Sequence, residues 1–128
     1  MVDKKEIKNY MDLDVWKKSH EFVIDIYKTT KDFPRFEIYS LISQLGRAAY
    51  SIPANIAEGN GKHFIKEYIQ SLYISRASIN EVRYFLLLSK DLGYLNNNKF
   101  HKLIKLLNPI EMMLMGLIRS LKRKLNPN

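Results

Sequence analysis

The sequence predicts an all-α protein, an antiparallel up-down four-helix bundle forming a single domain over residues 1–128. Three observations carry that prediction. Apolar residues recur at steps of three and four almost throughout. No run of β-branched residues alternates with polar ones between turn signals. The four prolines and five glycines fall mostly where helices with that period would end or bend.

A first helix is expected over residues 14–32. Val15, Phe22 and Ile26 form one stripe, and Trp16, Val23 and Tyr27 form a second beside it. Asp12 or Asp14 can cap its start, and "KDFPRF" stops it at Pro34. The second helix, 36–58, carries Ile38, Leu41, Ile42, Leu45, Ala48, Ala49, Ile52 and Ile56. It should be kinked at Pro53, which has no N–H to offer the Ala49 carbonyl. A third, 64–92, runs through Tyr68, Leu72, Ile79, Val82 and Leu86 and closes at "DLGYL", where Gly93 suits the C′ position. Asn96 to Asn98 then offer N-caps for a fourth, 97–124. There Leu103, Leu107, Ile110, Leu114, Leu117 and Leu121 alternate steps of four and three, as a coiled-coil seam does. Ile104, Met112, Met115, Ile118 and Leu125 make a second apolar row beside that seam. Arcs as wide as those of the first and fourth helices cover two neighbours at once or face another subunit, and a homo-oligomer is expected.

Composition narrows the function. A chain with 46% hydrophobic and 27% charged residues is ordinary for a soluble folded domain, and 128 residues leave no room for a second core. The absence of cysteine excludes disulfides, thiolate metal sites and cysteine nucleophiles. "MVDKKEIKNYMDLD" has lysines without an apolar core behind them, so no signal peptide is expected. The run "MMLMGLI" is far short of the roughly 20 residues a membrane span needs. A cytoplasmic protein that does not engage membranes is expected.

Charge is lopsided. Lys and Arg outnumber Asp and Glu by 21 to 13, a formal +8, and such a field attracts polyanions. The excess is concentrated late: Lys99, Lys102, Lys105, Arg119, Lys122, Arg123 and Lys124 face a single acid, Glu111. A basic end also suits a helix C-terminus.

"SIPANIAEGNGK", Ser51 to Lys62, poses the question of a phosphate loop. The P-loop pattern fails here, because Ile56 stands at its first glycine, His63 follows the lysine, and a helix precedes it. The stretch reads instead as a helix stop, with Gly59 free to turn left-handed and Gly61 easing the reversal.

A polar set lies in the same region. Gln44, Arg47, Ser51, Asn55 and Glu58 share one face of the second helix, and the third supplies Arg76, Ser78 and Glu81. Arg76 falls on or near the apolar stripe, where a buried guanidinium needs a carboxylate, and Glu58 and Glu81 are its candidate partners. Such a network either fixes helix register or forms a site. No Glu-x-x-His pair serves a di-iron centre, and His20, His63 and His101 sit in separate segments. No nucleophile elbow or paired acid stands out. Neither catalytic residues, a metal nor a cofactor is expected, and the chain does not read as an enzyme.

Three stretches carry a resemblance. "DLDVWKKSHEFVIDIYKTTKDFP", "EIYSLISQLGRAAYSIPANIAEGNGK" and "EYIQSLYISRASINEVRYFLLLSKDLGYL" resemble the four-helix-bundle proteins encoded in intervening sequences of bacterial large-subunit ribosomal RNA genes. The accessory variability proteins of diversity-generating retroelements are similar. The likeness covers about Leu13 to Leu95 and departs mildly at Gly46 and at Ala77-Ser78. It implies a ring-like homo-oligomer, a pentamer. The retroelement relatives bind a reverse transcriptase and its RNA through a positive surface, whereas the intervening-sequence link to ribosomal RNA is one of gene location.

Two functions follow. The first is a basic oligomer that binds RNA or DNA with little sequence preference, as an accessory to a nucleic-acid enzyme. Its candidate contacts are Lys17, Lys18, Arg47, Arg119, Lys122, Arg123 and Lys124. The second is a structural scaffold that recruits a protein partner, for which Met112, Met113 and Met115 make a yielding surface.

Overall fold

The structure, a computed structural model, describes residues 9–126. Four helices dominate it: α1 (Asp14–Thr30), α2 (Ser43–Asn60), α3 (Ile65–Asp91) and α4 (Asn97–Leu125). Each packs on the next, α4 returns to α1, and the α2–α3 interface is the most extensive. Neighbours run antiparallel. On α3 and α4, Lys122 meets Tyr73, Arg83 meets Glu111 and Lys90 lies over Phe100, so one numbering rises as the other falls. The four-helix bundle read from the sequence is the observed fold. No helix among the described residues is long and apolar enough to cross a membrane.

Every helix sends its stripe inward. Phe22 and Ile26, Leu45, Ile52 and Ile56, Tyr68, Leu72, Ile79 and Leu86, and Leu103 and Leu107 are all fully buried. Each aliphatic side chain removed from water this way contributes about 1.5–3 kcal/mol. On α4 the buried row is Leu103, Leu107, Ile110, Leu114, Ile118 and Leu121, so the seam passes through Ile118, and Leu117 is only partly buried. Ile104, Met115, Leu125, Trp16 and Val23 are partly buried against the same core, so the bundle itself covers most of the second rows. Met112 (74% exposed) and Tyr27 (52%) are the members left to solvent.

The termini follow local chemistry. Gly93 at φ +84° ends α3 in a Schellman arrangement: its N–H donates to the Lys90 carbonyl and that of Tyr94 to the Ser89 carbonyl, both at 2.9 Å. Asn96 caps α4 through a 2.8 Å bond from the Lys99 N–H to its Oδ1. Neither Asp12 nor Asp14 caps α1. Leu13 holds that position without a side-chain bond, and Asp14 opens the first turn, where its charge still favours the dipole. Between α1 and α2, a 3₁₀ turn (Arg35–Glu37) and a π turn (Ile38–Ile42) lead into the helix. Glu37 organises them, accepting from the Ser40 hydroxyl, from the Leu41 N–H (3.4 Å) and from the Tyr94 hydroxyl (2.8 Å). Those bonds, Ser40's foremost, hold the Glu37 carboxyl below its ordinary pKa.

α2 continues through Pro53 to Asn60. Gly59 is not left-handed, because Gly93 is the one described residue with positive φ. Its role is close approach: a Cβ there would lie 2.7 Å from Ser71 Cβ and 2.9 Å from Tyr68 Cδ1 on α3.

Candidate nucleic-acid interface

The polar set drawn from α2 and α3 assembles in part. Asn55 Nδ2 donates to the Ser51 carbonyl (2.8 Å) and to Ser51 Oγ (2.9 Å), and Ser78 Oγ lies 2.8 Å from Ser51 Oγ. One turn away the fully buried Ser75 donates to the Ile52 carbonyl at 2.8 Å. The Ser78–Ser51 and Ser75–Ile52 bonds join α3 to α2, whereas the two Asn55 bonds stay within α2. Gln44 and Glu81 are exposed, and no bond among the described residues joins them to it. Glu58 faces solvent and pairs with Lys62 at 3.8 Å.

Arg76 corrects the expectation most. It is not buried and does not pair with Glu58 or Glu81. Ser75 occupies the buried step of the α3 stripe, and Arg76 lies at its α4-facing edge, with 45% of its side chain exposed. There it meets Glu111, Nε to Oε2 at 3.6 Å. Arg83 reaches the other carboxylate oxygen at 2.8 Å and also donates to Asn108 Oδ1 (3.1 Å) and Asn80 Oδ1 (3.3 Å). Sequence reasoning missed Arg83 and Asn108. The signals were present, because Arg83 follows Arg76 by seven residues on the same face and Glu111 is the lone acid of its segment.

The hydrogen bond from Arg83, with its charge and that of Arg76, holds the Glu111 carboxyl below its ordinary value near 4.5. A lowered folded pKa contributes stability above the unfolded value and loses it as pH falls through the folded one. Glu111→Gln should therefore cost about 0.5–1 kcal/mol at pH 7, as expected for a partly exposed pair. The cost should shrink as pH falls below the ordinary carboxylate range, where wild type progressively loses the same contribution. Urea melts across that range check it.

All seven candidate cations are exposed. Antiparallel packing puts the start of α1 in the same half of the bundle as the end of α4, but Lys18 lies against Leu106, Pro109 and Ile110, and Arg119, Lys122, Arg123 and Lys124 follow more than two turns farther along α4. Lys18 also pairs loosely with Glu21, at 3.9 Å. Lys122 is held in place: its Nζ donates to the Tyr73 hydroxyl at 2.7 Å and lies 5.2 Å from the ring centre. Arg47 stands apart, near the start of α2 and so towards the opposite end, on a groove of about 450 Å³ between α1 and α2. Tyr27, Tyr39, Tyr50 and Gly46 share that groove, and none of them was singled out from the sequence for a binding role.

Residues 11–116 match the sequence model of the family described as "23S rRNA-intervening sequence protein". The fold is similar to that of a Bacteroides thetaiotaomicron protein described as a protein of unknown function from the S23 ribosomal protein family. The two share 25% identity over 82% of this chain and 95% of that one, with a TM-score of 0.76. No curated protein matches the sequence.

Proposed function

The chain belongs to the 23S rRNA-intervening sequence protein family, and from that premise we propose that it is a non-enzymatic, homo-oligomeric, basic binding protein that acts as an RNA- or DNA-binding accessory factor. The observation that carries the reading is the cluster of four exposed cations, Arg119, Lys122, Arg123 and Lys124, in the last two turns of α4, on a chain whose formal charge is +8. In a ring of copies, a pentamer by the resemblance, each weak patch is repeated, and repetition turns modest contacts into avidity. The outer face of α3 supports assembly, because it leaves Tyr73, Ile74, Tyr84 and Leu87 between 37% and 57% exposed. Such a face suits another copy of the chain.

The test is a variant with Arg119, Lys122, Arg123 and Lys124 all changed to glutamine, titrated with structured RNA at several salt concentrations. Each lost phosphate contact lowers the slope of log affinity against log salt by about 0.9. The variant should bind at least about tenfold more weakly at low salt, with a slope smaller by up to about 3.6 if all four contact phosphate. Wild-type binding that ignores salt, or no binding at all, overturns the reading.

The same α3 face favours one alternative, a scaffold that recruits a protein partner with its charge incidental. Recovery of one protein that survives nuclease treatment, together with salt-independent RNA retention, would favour it.

A further inference from the structure

We propose that the groove between α1 and the start of α2 holds an unpaired base of single-stranded RNA, with Arg47 on the adjoining phosphate. The inference rests on the nucleic-acid reading above and goes further, since it names the strandedness that the protein selects.

The groove is built for flat, polar-edged rings. Tyr39 is 95% exposed, Tyr27 52% and Tyr50 46%, and the three surround a space of about 450 Å³, within the usual range for small-ligand sites. Tyr39, Ser43, Arg47 and Tyr50 follow one another at steps of four, four and three, which sets them in a row along one face. Tyr27 stands opposite on α1. Gly46 is buried under the Tyr27 ring, which a Cβ there would meet at ordinary contact distance, its hydroxyl at 3.7 Å. No acid lines the groove, and Arg47 is its one charge. Rings that offer π faces beside a guanidinium are what single-stranded nucleic acid uses, because every base stacks and every nucleotide carries a phosphate.

A second copy of the chain is the less fitting occupant. The groove carries the hydroxyls of the exposed Tyr27, Tyr39 and Tyr50 beside the half-buried Ile38 and Ile42, whereas the outer face of α3 exposes Ile74 and Leu87 themselves. Further along α1 the same face carries more rings. Two turns before Tyr27 on α1, His20 stacks on Trp16 at 5.0 Å with the planes 6° apart, and Lys17 stands in the next turn. A strand leaving the groove along α1 therefore meets another ring pair and then Lys17.

The experiment compares a fluorescein-labelled oligouridine 12-mer with a blunt RNA duplex of the same length, at fixed salt, on the full chain. Wild type should prefer the single strand. The double variant Tyr39→Ala, Tyr50→Ala changes exposed side chains, and it should lose about tenfold or more for the single strand, the size expected for lost stacking on one or two bases. Duplex binding and the salt slope should stay as they were, and Tyr39→Phe with Tyr50→Phe should restore the preference. Wild type that binds both RNAs alike, with the alanine variant neutral, overturns the inference and leaves the basic-patch reading standing. Loss for both RNAs with a fall in mass by light scattering overturns it in favour of a second copy in the groove. No binding of either RNA by wild type removes both readings.

Discussion

Gly59→Ala should destabilise the bundle by about 2 kcal/mol, although alanine is the better helix former. The added Cβ would lie 2.7 Å from Ser71 Cβ, an atom fixed to the α3 backbone, and 2.9 Å from Tyr68 Cδ1. Relief requires the two helices to separate at their most intimate crossing, because no flexible side-chain end is available to give way. In a domain of this size that corresponds to a midpoint roughly 8 °C lower. Gly46→Ala is the internal control. Its Cβ meets only ordinary contacts with the Tyr27 ring at 3.7 Å or more, so removing a helical glycine should stabilise by up to about 1 kcal/mol. Ser71→Gly in the Gly59→Ala background should recover part of the loss, as a double-mutant cycle would register. If Gly59→Ala and Gly46→Ala shift the urea midpoint in the same direction, close approach does not explain Gly59.

What was legible in the sequence is what neighbouring residues decide among themselves. The apolar steps of the helices, the left-handed Gly93 and the Asn96 cap each depend on chemistry within a few positions, and the structure bears them out except at Leu117 of α4. The seam of α4 shows how that logic decays with distance. A strict seven-residue repeat carries Leu103 to Leu117, but a straight helix drifts about 20° per heptad, so after two heptads the inward position has moved on to Ile118. Gly59 was misread for a different reason. Its use depends on Tyr68 and Ser71, and local propensity offers only the commoner role of a helix-ending glycine.

The candidate site was legible as composition and illegible as pairing. That Arg119, Lys122, Arg123 and Lys124 form a basic end is visible in one line of sequence. That Lys18 lies instead against Leu106, Pro109 and Ile110, more than two turns short of them, needs the bundle topology. Ser51 and Asn55 share a face of α2 by helical period, and tertiary packing brings Ser78 of α3 to Ser51. Arg76 was assigned to Glu58 or Glu81 because both lie near in sequence or on the neighbouring helix. Its carboxylate came instead from α4, thirty-five residues on, at the edge where the α3 stripe turns towards that helix. A long, flexible side chain at a stripe edge selects its partner by tertiary proximity, which spacing along one helix does not encode.

Tyr68 gives the other large effect, and it lies against the same crossing. The side chain is fully buried, and its hydroxyl accepts a 3.2 Å bond from Asn60 Nδ2. Tyr68→Ala should cost about 4 kcal/mol, the range for emptying a buried aromatic site, and that is a large part of a small domain's stability. Tyr68→Phe keeps the ring and isolates the hydroxyl, so it should cost about 1 kcal/mol near neutrality. The two variants part company with pH. Burial raises the phenol pKa above its ordinary value near 10, an effect the Asn60 bond only partly offsets. A raised folded pKa means that the unfolded chain gives up its proton first, so stability is complete below about pH 10 and drains away as pH climbs beyond it. Phenylalanine has no proton to lose. Tyr68→Phe should therefore fall less steeply than wild type between about pH 9.5 and 11, so the gap between the two narrows as pH rises. Tyr94, whose pKa the Glu37 carboxylate also raises, keeps part of the alkaline slope in both proteins. Parallel losses in wild type and Tyr68→Phe across that range would mean that the Tyr68 phenol is wet, and the close α2–α3 crossing built around Gly59 would lose its support.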